Sequence, residues 1–294
     1  MASAVTFMTH NNNRVWAIYS PEAQTLNDKK ITLKENHDWK VEADGDVAKH
    51  HSLGQSVLRF LESAEGLFRF GQLGERLPKF VNSARVECGL APLAPLDVCA
   101  SKSLASWTWL TTIPRVITMT PGVIDVVKEA SESVKDSTLH VSQKRYKLEK
   151  ATREVSDAVA MYAHAAGNVA SLFPGLGKLD VACHQFADKT TFGHDLVSLK
   201  MNGENYWHAR SVDLTNATHA IKETVEGTKR VALVAIAKDI AAIAGFLVTG
   251  SLAVLAALPL AATVLAIIRK MCEETMAFKP INFLDNRSVT WVTA

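Results

Sequence analysis

The fold of this chain is decided by Val231 to Ile268, which read VALVAIAKDIAAIAGFLVTGSLAVLAALPLAATVLAII. Within this stretch only Lys238 and Asp239 carry a charge, and twelve of the residues are alanine. Alanine and leucine favour helix, and an uncharged apolar run of more than about eighteen residues is the usual signal of a bilayer span. We therefore expect lipid or protein to cover this stretch.

Two membrane arrangements compete for the apolar stretch. A helical hairpin would use residues 231–248 and 251–268 as arms and turn at residues 249–251, whereas a single span would use residues 240–268. The first arm has nine Leu, Ile, Val or Phe side chains, which contribute about 3–5 kcal/mol on the insertion scale, while Lys238 and Asp239 cost about 5–7 kcal/mol. Residues 240–268 have fourteen such side chains and no charge, so this arithmetic favours one span.

Other features of the same stretch leave the alternatives open. Basic pairs at residues 229–230 and 269–270 flank it, and a hairpin would place both pairs on one side of a membrane. Alanine-rich helices also occur at the centre of soluble bundles, so a buried helix pair is the alternative to lipid contact. The predicted membrane-anchor residues are Ile240, Ile243, Phe246, Leu247, Leu252, Leu255, Leu258, Leu260, Leu265 and Ile268.

A seven-residue repeat precedes the apolar stretch. Its first positions, which form the predicted helix seam, are Val127, Val134, Val141, Leu148, Val155, Tyr162 and Val169. The residues three places later are mostly small, with Ala130, Ala151 and Ala158 among them. The pattern predicts one long helix over about 122–172. Small residues in the second position favour packing within one bundle, with a dimeric coiled coil as the alternative.

The remaining segments complete a mainly α prediction, a multi-helix bundle with a small N-terminal β element. Residues 31–33 and 39–41 alternate apolar and polar side chains around Asn36-His37-Asp38, which predicts a hairpin. Residues 289–292 have strand composition and could pair with it. Residues 190–210 are mixed and predict a loop. The predicted division is a β-containing segment at 1–45, a helical bundle at 46–230, the apolar helix or hairpin at 231–270 and a tail at 271–294.

Composition narrows the classes of function. The net charge of +2 gives no basic field for nucleic acid. The first thirty residues have no apolar run long enough for a secretory signal, so we expect the helical portion to be cytosolic, with a secretion route that needs no cleaved apolar signal as the alternative. The four cysteines have no C-x-x-C spacing and are expected to be free thiols.

Motifs for catalysis are weak throughout. Gly175-Leu176-Gly177-Lys178 lacks both the preceding glycine and the following hydroxyl residue of a phosphate-binding loop. The only cluster of reactive residue types is Cys183-His184 with His194 and Asp195. Neighbouring residues on a helix point in different directions, so we expect no catalytic residue, no metal site and no cofactor.

The layout therefore predicts a non-enzymatic membrane-associated protein for interaction or scaffolding. Its partners are expected to be a lipid bilayer and an unknown protein, with a homo-oligomer possible. The alternative is a soluble bundle that inserts its apolar hairpin on a trigger, as pore-forming proteins or secreted effectors do. In layout alone the chain resembles inclusion-membrane and effector proteins of intracellular bacteria, and also peroxisomal membrane-shaping proteins. No motif is shared with either group, so the resemblance assigns no role to any residue.

Overall fold

A computed structural model describes residues 6–10, 14–19, 30–33, 39–42, 53–137, 141–211, 219–276, 280, 282 and 291–293. The described part is mainly helical, as the sequence predicts. Its helices are α1 (Leu53–Glu62), α2 (Ala64–Glu87), α3 (Ala94–Lys135), α4 (Val141–Ser171), α5 (Gly177–Arg210), α6 (His219–Leu247) and α7 (Leu252–Thr275). A single 3-10 turn, Pro174–Leu176, lies between α4 and α5.

The chain divides into two compact units. The larger unit comprises Leu58–Lys200 and Ala235–Ile268, and the smaller unit comprises Met1–Val57, Met201–Val234 and Arg269–Ala294. Small side chains dominate the buried positions of the larger unit, with a few large ones such as Phe60, Phe68 and Met161 among them. The buried alanines of this unit are Ala130, Ala151, Ala158, Ala160, Ala170, Ala187, Ala235 and Ala262. This composition allows the helices of the unit to approach one another closely.

The prediction of one long helix over about 122–172 is wrong. Helix α3 ends at Lys135, Asp136 takes an extended conformation, and α4 begins at Val141. Asp136, Ser137 and Ser142 bond readily to nearby backbone groups outside a helix, so these residues favour a break. The helices are paired, since Lys147 and Lys150 of α4 lie 3.9 Å and 3.8 Å from Glu129 of α3. The seven-residue repeat therefore runs through two helices.

The apolar stretch forms two helices with a break between them. Helix α6 ends at Leu247 and α7 begins at Leu252. Gly250 has a φ of 148°, a conformation that residues with a Cβ rarely adopt. The chain turns back at this point, because a Cβ on Gly245 of α6 would lie 3.7 Å from Leu258 and 3.8 Å from Pro259 of α7. The described structure has the hairpin and not one continuous helix over residues 240–268.

Short strands lie near the two ends of the sequence. They are β1 (Thr6–His10), β2 (Arg14–Tyr19), β3 (Lys30–Leu33), β4 (Trp39–Glu42) and β5 (Trp291–Thr293). The side chains of these strands and most of the residues that connect them lie outside the described residues. The N-terminal β element at 1–45 and its pairing with residues 289–292 therefore stay predictions.

Candidate functional site

Of the two charges of the apolar hairpin, Asp239 is buried in the larger unit and Lys238 is half-buried there. Lys238 and Asp239 lie on α6, and the Lys238 Nζ is 2.6 Å from the Asp239 carboxylate. The same Nζ donates to Oδ1 of Asp195 on α5 at 3.2 Å. His194 Nδ1 also lies 3.2 Å from that oxygen. We call Asp195, Lys238 and Asp239 the ionic anchor, since they join the first arm of the hairpin to α5.

The protonation of Asp195 fits this role. Burial by itself would raise the pKa of this carboxyl group. Hydrogen bonds from His194 and Lys238, together with their positive charge, hold the pKa below its ordinary value. Asp195 is therefore a carboxylate at neutral pH, and it neutralises the Lys238 ammonium group away from water.

The second arm is held by a separate polar contact. Arg76 of α2 donates from Nη1 to the carbonyl oxygen of Pro259 at 2.8 Å and to the hydroxyl of Thr263 at 2.5 Å. The Thr263 hydroxyl also donates to the Pro259 carbonyl at 3.0 Å. Thr263 is fully buried, so this polar cluster marks the inner face of α7. Burial is the main reason that the pKa of Arg76 lies below its usual value, yet an arginine stays charged at neutral pH.

The turn of the hairpin is bonded to the end of α2. The Glu87 carboxylate accepts from the Ser251 hydroxyl at 2.6 Å and from the Ala253 amide at 3.0 Å. These bonds, that from Ser251 first, lower the pKa of Glu87. A carboxylate at the start of α7 also interacts favourably with the positive end of the helix dipole. The tip of the hairpin therefore carries a charged and solvated group beside its apolar residues.

Several large apolar side chains of the hairpin are exposed, and we call the surface that they form its outer face. Large apolar side chains that are exposed along it are Ile240, Phe246, Leu247, Val248, Leu252, Val254, Val264 and Ile268. By length and composition α7 is the one helix of the described residues that could cross a membrane, and only 17% of its most apolar window is buried inside the protein. A core helix of a soluble bundle is mostly buried, and α7 is less buried than such a helix.

The predicted membrane-anchor residues divide between the two faces. Ile240, Phe246, Leu247, Leu252 and Ile268 are exposed. The other five are half-buried, namely Ile243, Leu255, Leu258, Leu260 and Leu265. The ring of Phe246, although exposed in part, also meets Phe192 of α5 edge-on with 5.5 Å between ring centroids.

The structure places His184 and the His194–Asp195 pair in different contacts. His184 lies beside His164 of α4, with 3.1 Å between their Nδ1 atoms, and its Nε2 is 3.1 Å from Asp180. Asp195 belongs instead to the ionic anchor. Within the described ranges, no three His, Cys, Asp or Glu side chains are placed to hold a metal ion together.

We expect acid to destabilise the His164–His184 pair. Burial, the largest cause, lowers the pKa of His164 below its ordinary value of about 6.5. The unfolded chain then binds the proton more readily than the folded chain, so the stability from this group is complete above about pH 6.5 and is lost as pH falls through the lower folded pKa. Urea unfolding at about pH 7.5 and about pH 5 measures this loss, and the loss is expected to be smaller in His164→Asn.

Other charged groups near His164 also shift its pKa. Asp188 and Glu75 raise its pKa, whereas Arg76 and His184 lower it. All of these groups stay in place in His164→Asn. Equal loss of stability in the variant and in the parent protein would show that the pH dependence comes from other groups.

Comparisons with known proteins give no relative of this chain. No protein-family model, no curated protein and no solved structure matches it. Any functional conclusion therefore depends on the hairpin and on the surfaces around it.

Proposed function

We propose that this chain is a non-enzymatic, membrane-associated helical protein that contacts lipid through the α6–α7 hairpin. The exposed apolar outer face of the hairpin is the observation that carries the proposal. Large apolar side chains exposed on a helix of this length and hydropathy are a signal of contact with lipid or with another protein. The remaining helices would stay on the cytosolic side and present their surfaces to a protein partner.

The inner face of the hairpin supports shallow contact with lipid rather than a full crossing. Crossing the bilayer would pull Lys238 and Asp239 away from Asp195 and cost about 5–7 kcal/mol on the insertion scale. It would also break the bonds from Arg76 to α7 and from the turn to Glu87. In shallow contact the outer face enters the boundary between headgroups and acyl chains while these bonds are kept.

A second candidate function is insertion on a trigger. The observation in its favour is that polar contacts hold each arm to the bundle, the ionic anchor on α6 and Arg76 on α7. Breaking these contacts would release the arms for insertion, as in a soluble bundle that becomes a pore. Leakage of dye from vesicles only after a trigger, from protein that is monodisperse without detergent, favours this function over constitutive contact.

Vesicle flotation with a matched pair of variants tests the first proposal. Leu252 at the tip of the hairpin is 58% exposed and Leu58 on α1 is 60% exposed. Leu252→Asp removes one apolar side chain from the contact and adds a charge, so we expect the vesicle affinity to fall by about 2 kcal/mol or more, about thirtyfold. Leu58→Asp should bind vesicles as the parent protein does.

Two results of that experiment contradict lipid contact by the hairpin. One is equal binding by both variants and the parent protein, since the tip then contributes nothing to the affinity. The other is complete release of the parent protein by high salt, because a contact through apolar surface persists when charges are screened. Circular dichroism spectra of both variants establish that any loss of binding is not a loss of helix.

A further inference from the structure

Helix α4 carries a second apolar face that points away from the centre of the larger unit. Its residues follow one another at alternating spacings of four and three, which is the spacing of a coiled-coil seam. We call them the outer stripe of α4: Val141, Arg145, Leu148, Thr152, Val155, Val159, Tyr162, Ala166 and Val169. Val141, Leu148, Tyr162 and Val169 are exposed, although each is a position of the predicted seam.

The opposite face of α4 explains why the stripe is left outside. Ala151 and Ala158 are buried, as is Ala130 on α3. These are the small residues of the seven-residue repeat, and they face the interior of the larger unit. The small residues therefore serve packing within the chain, while the bulky positions of the same repeat are free for another contact.

The polar groups of the outer stripe are already bonded within the chain. The Thr152 hydroxyl donates to the Leu148 carbonyl at 2.8 Å, so its methyl group is left for contact. Arg145 bonds to Glu149 at 2.9 Å. The Tyr162 hydroxyl lies 2.6 Å from the Thr120 hydroxyl of α3. A partner that covers the stripe therefore leaves none of these groups without a hydrogen bond.

Helix α3 extends this face. Thr120 joins α3 to the stripe through Tyr162, and exposed apolar residues lie near it on α3 at successive spacings of seven, three and seven. These residues are Ile117, Ile124, Val127 and Val134. Beside them runs an exposed rim of alternating charge, Asp125, Lys128, Glu132 and Lys135. An apolar centre with a charged rim is the usual arrangement of residues in a protein–protein interface.

The spacing of the face identifies the kind of partner. A repeat of seven keeps its residues aligned only against other helices that supercoil with it, and contact with lipid does not require such a repeat. A second copy of this chain supplies helices with the same spacing. When two α4 helices are placed antiparallel, Leu148 comes opposite Val159, Val141 opposite Ala166 and Arg145 opposite the Tyr162 ring. Large residues then meet smaller ones, and the arginine meets an aromatic face.

We propose that two copies of this chain associate through their α3–α4 helices and form an intermolecular four-helix bundle. Such an isologous contact, in which the same face is used by both copies, is the commonest kind in homo-oligomers. The contact is independent of lipid binding by α6 and α7, because none of its residues belongs to the hairpin.

Sedimentation of the full chain in a mild non-ionic detergent tests this inference. We expect two copies in each particle for the parent protein. Leu148→Glu places a charge in the centre of the contact on both copies, and the dissociation constant should rise at least about a hundredfold. Val181→Glu, which places the same charge at an exposed apolar position on α5, should leave the dimer intact.

A second measurement covers the membrane-bound protein. Amine-reactive crosslinking on vesicles should give a dimer band for the parent protein and for Val181→Glu, and a weak band for Leu148→Glu. A monomeric parent protein in both measurements overturns the inference, as does a dimer that Leu148→Glu leaves unchanged. A loss of vesicle flotation in Leu148→Glu at unchanged mass would show that lipid covers this face instead. Circular dichroism of Leu148→Glu separates any of these results from unfolding.

Discussion

Lys238→Met is expected to lower the free energy of unfolding by about 3–5 kcal/mol, as the loss of one partner in a buried ion pair does. Asp195 and Asp239 are both buried, and the substitution leaves their charges without the ammonium group that lies within 3.2 Å of each carboxylate. The methionine fills most of the volume of the lysine stem, so the loss measures charge rather than packing. Chemical denaturation of the full chain in detergent gives the value.

Two further variants show that the ionic anchor is the cause. Asp195→Asn combined with Lys238→Met removes one of the two carboxylate charges that Lys238 neutralises, so the double variant should be more stable than Lys238→Met alone. Lys79→Met breaks an exposed pair with Glu75, in which the Nζ is 2.6 Å from Oε1, and should cost less than about 1 kcal/mol. An equal cost for Lys79→Met and Lys238→Met would show that burial adds nothing to the second pair.

Gly66→Ala is expected to destabilise the larger unit by about 3 kcal/mol or more. Ser63 caps α2 by accepting from the Gly66 amide at 3.0 Å, and its hydroxyl donates to the Phe60 carbonyl at 2.7 Å. A Cβ on Gly66 would lie 2.6 Å from the carbonyl carbon of Phe60 and nearer still to its oxygen. The neighbour is backbone, so the junction between α1 and α2 has to move, and Phe60 is a buried core residue.

Gly193→Ala is the control for that substitution. Gly193 lies within α5 and a Cβ there would meet nothing within 4 Å. Removing a glycine from a helix interior favours the helix by about 0.5–1 kcal/mol, so this variant should be slightly more stable than the parent protein. The two substitutions should therefore shift the midpoint temperature of thermal unfolding in opposite directions. A similar small shift for both would mean that α1 and α2 do not meet as closely at Gly66 as described.

The sequence predicts the helical class correctly, and it places the turn of the hairpin correctly although it favours the single span over the hairpin. The prediction of a helical protein rests on the helical period and the alanine content. The place of the turn rests on the residues Thr249-Gly250-Ser251, because Gly250 is needed for a conformation with positive φ. The arithmetic that favours a single span treats Lys238 and Asp239 as unpaired charges. That assumption fails because Asp195, forty-three residues earlier, neutralises Lys238.

The other differences also come from contacts between residues far apart in sequence. Residues 190–210 are predicted as a loop, yet α5 runs through them. Their helical period is unclear in the sequence because Asp195 and Ser198 are polar residues at buried positions, where the pattern requires apolar ones. The bonds from Arg76 to Pro259 and from Glu87 to Ser251 likewise join partners that no local pattern connects. The seven-residue repeat shows which faces of α3 and α4 are apolar, but it carries no information about which face turns inward.

The alanine-rich interior of the larger unit reverses the usual pattern of tolerance to substitution. Ala158 and Ala187 have almost no exposed surface, so the methyl groups that a valine or leucine adds at these positions would force the helices apart. Many leucines and valines of this unit, by contrast, lie at the surface and could change to other side chains without disturbing its interior. Sequences that diverge from this one while keeping its fold would thus keep their smallest residues and vary their large apolar ones.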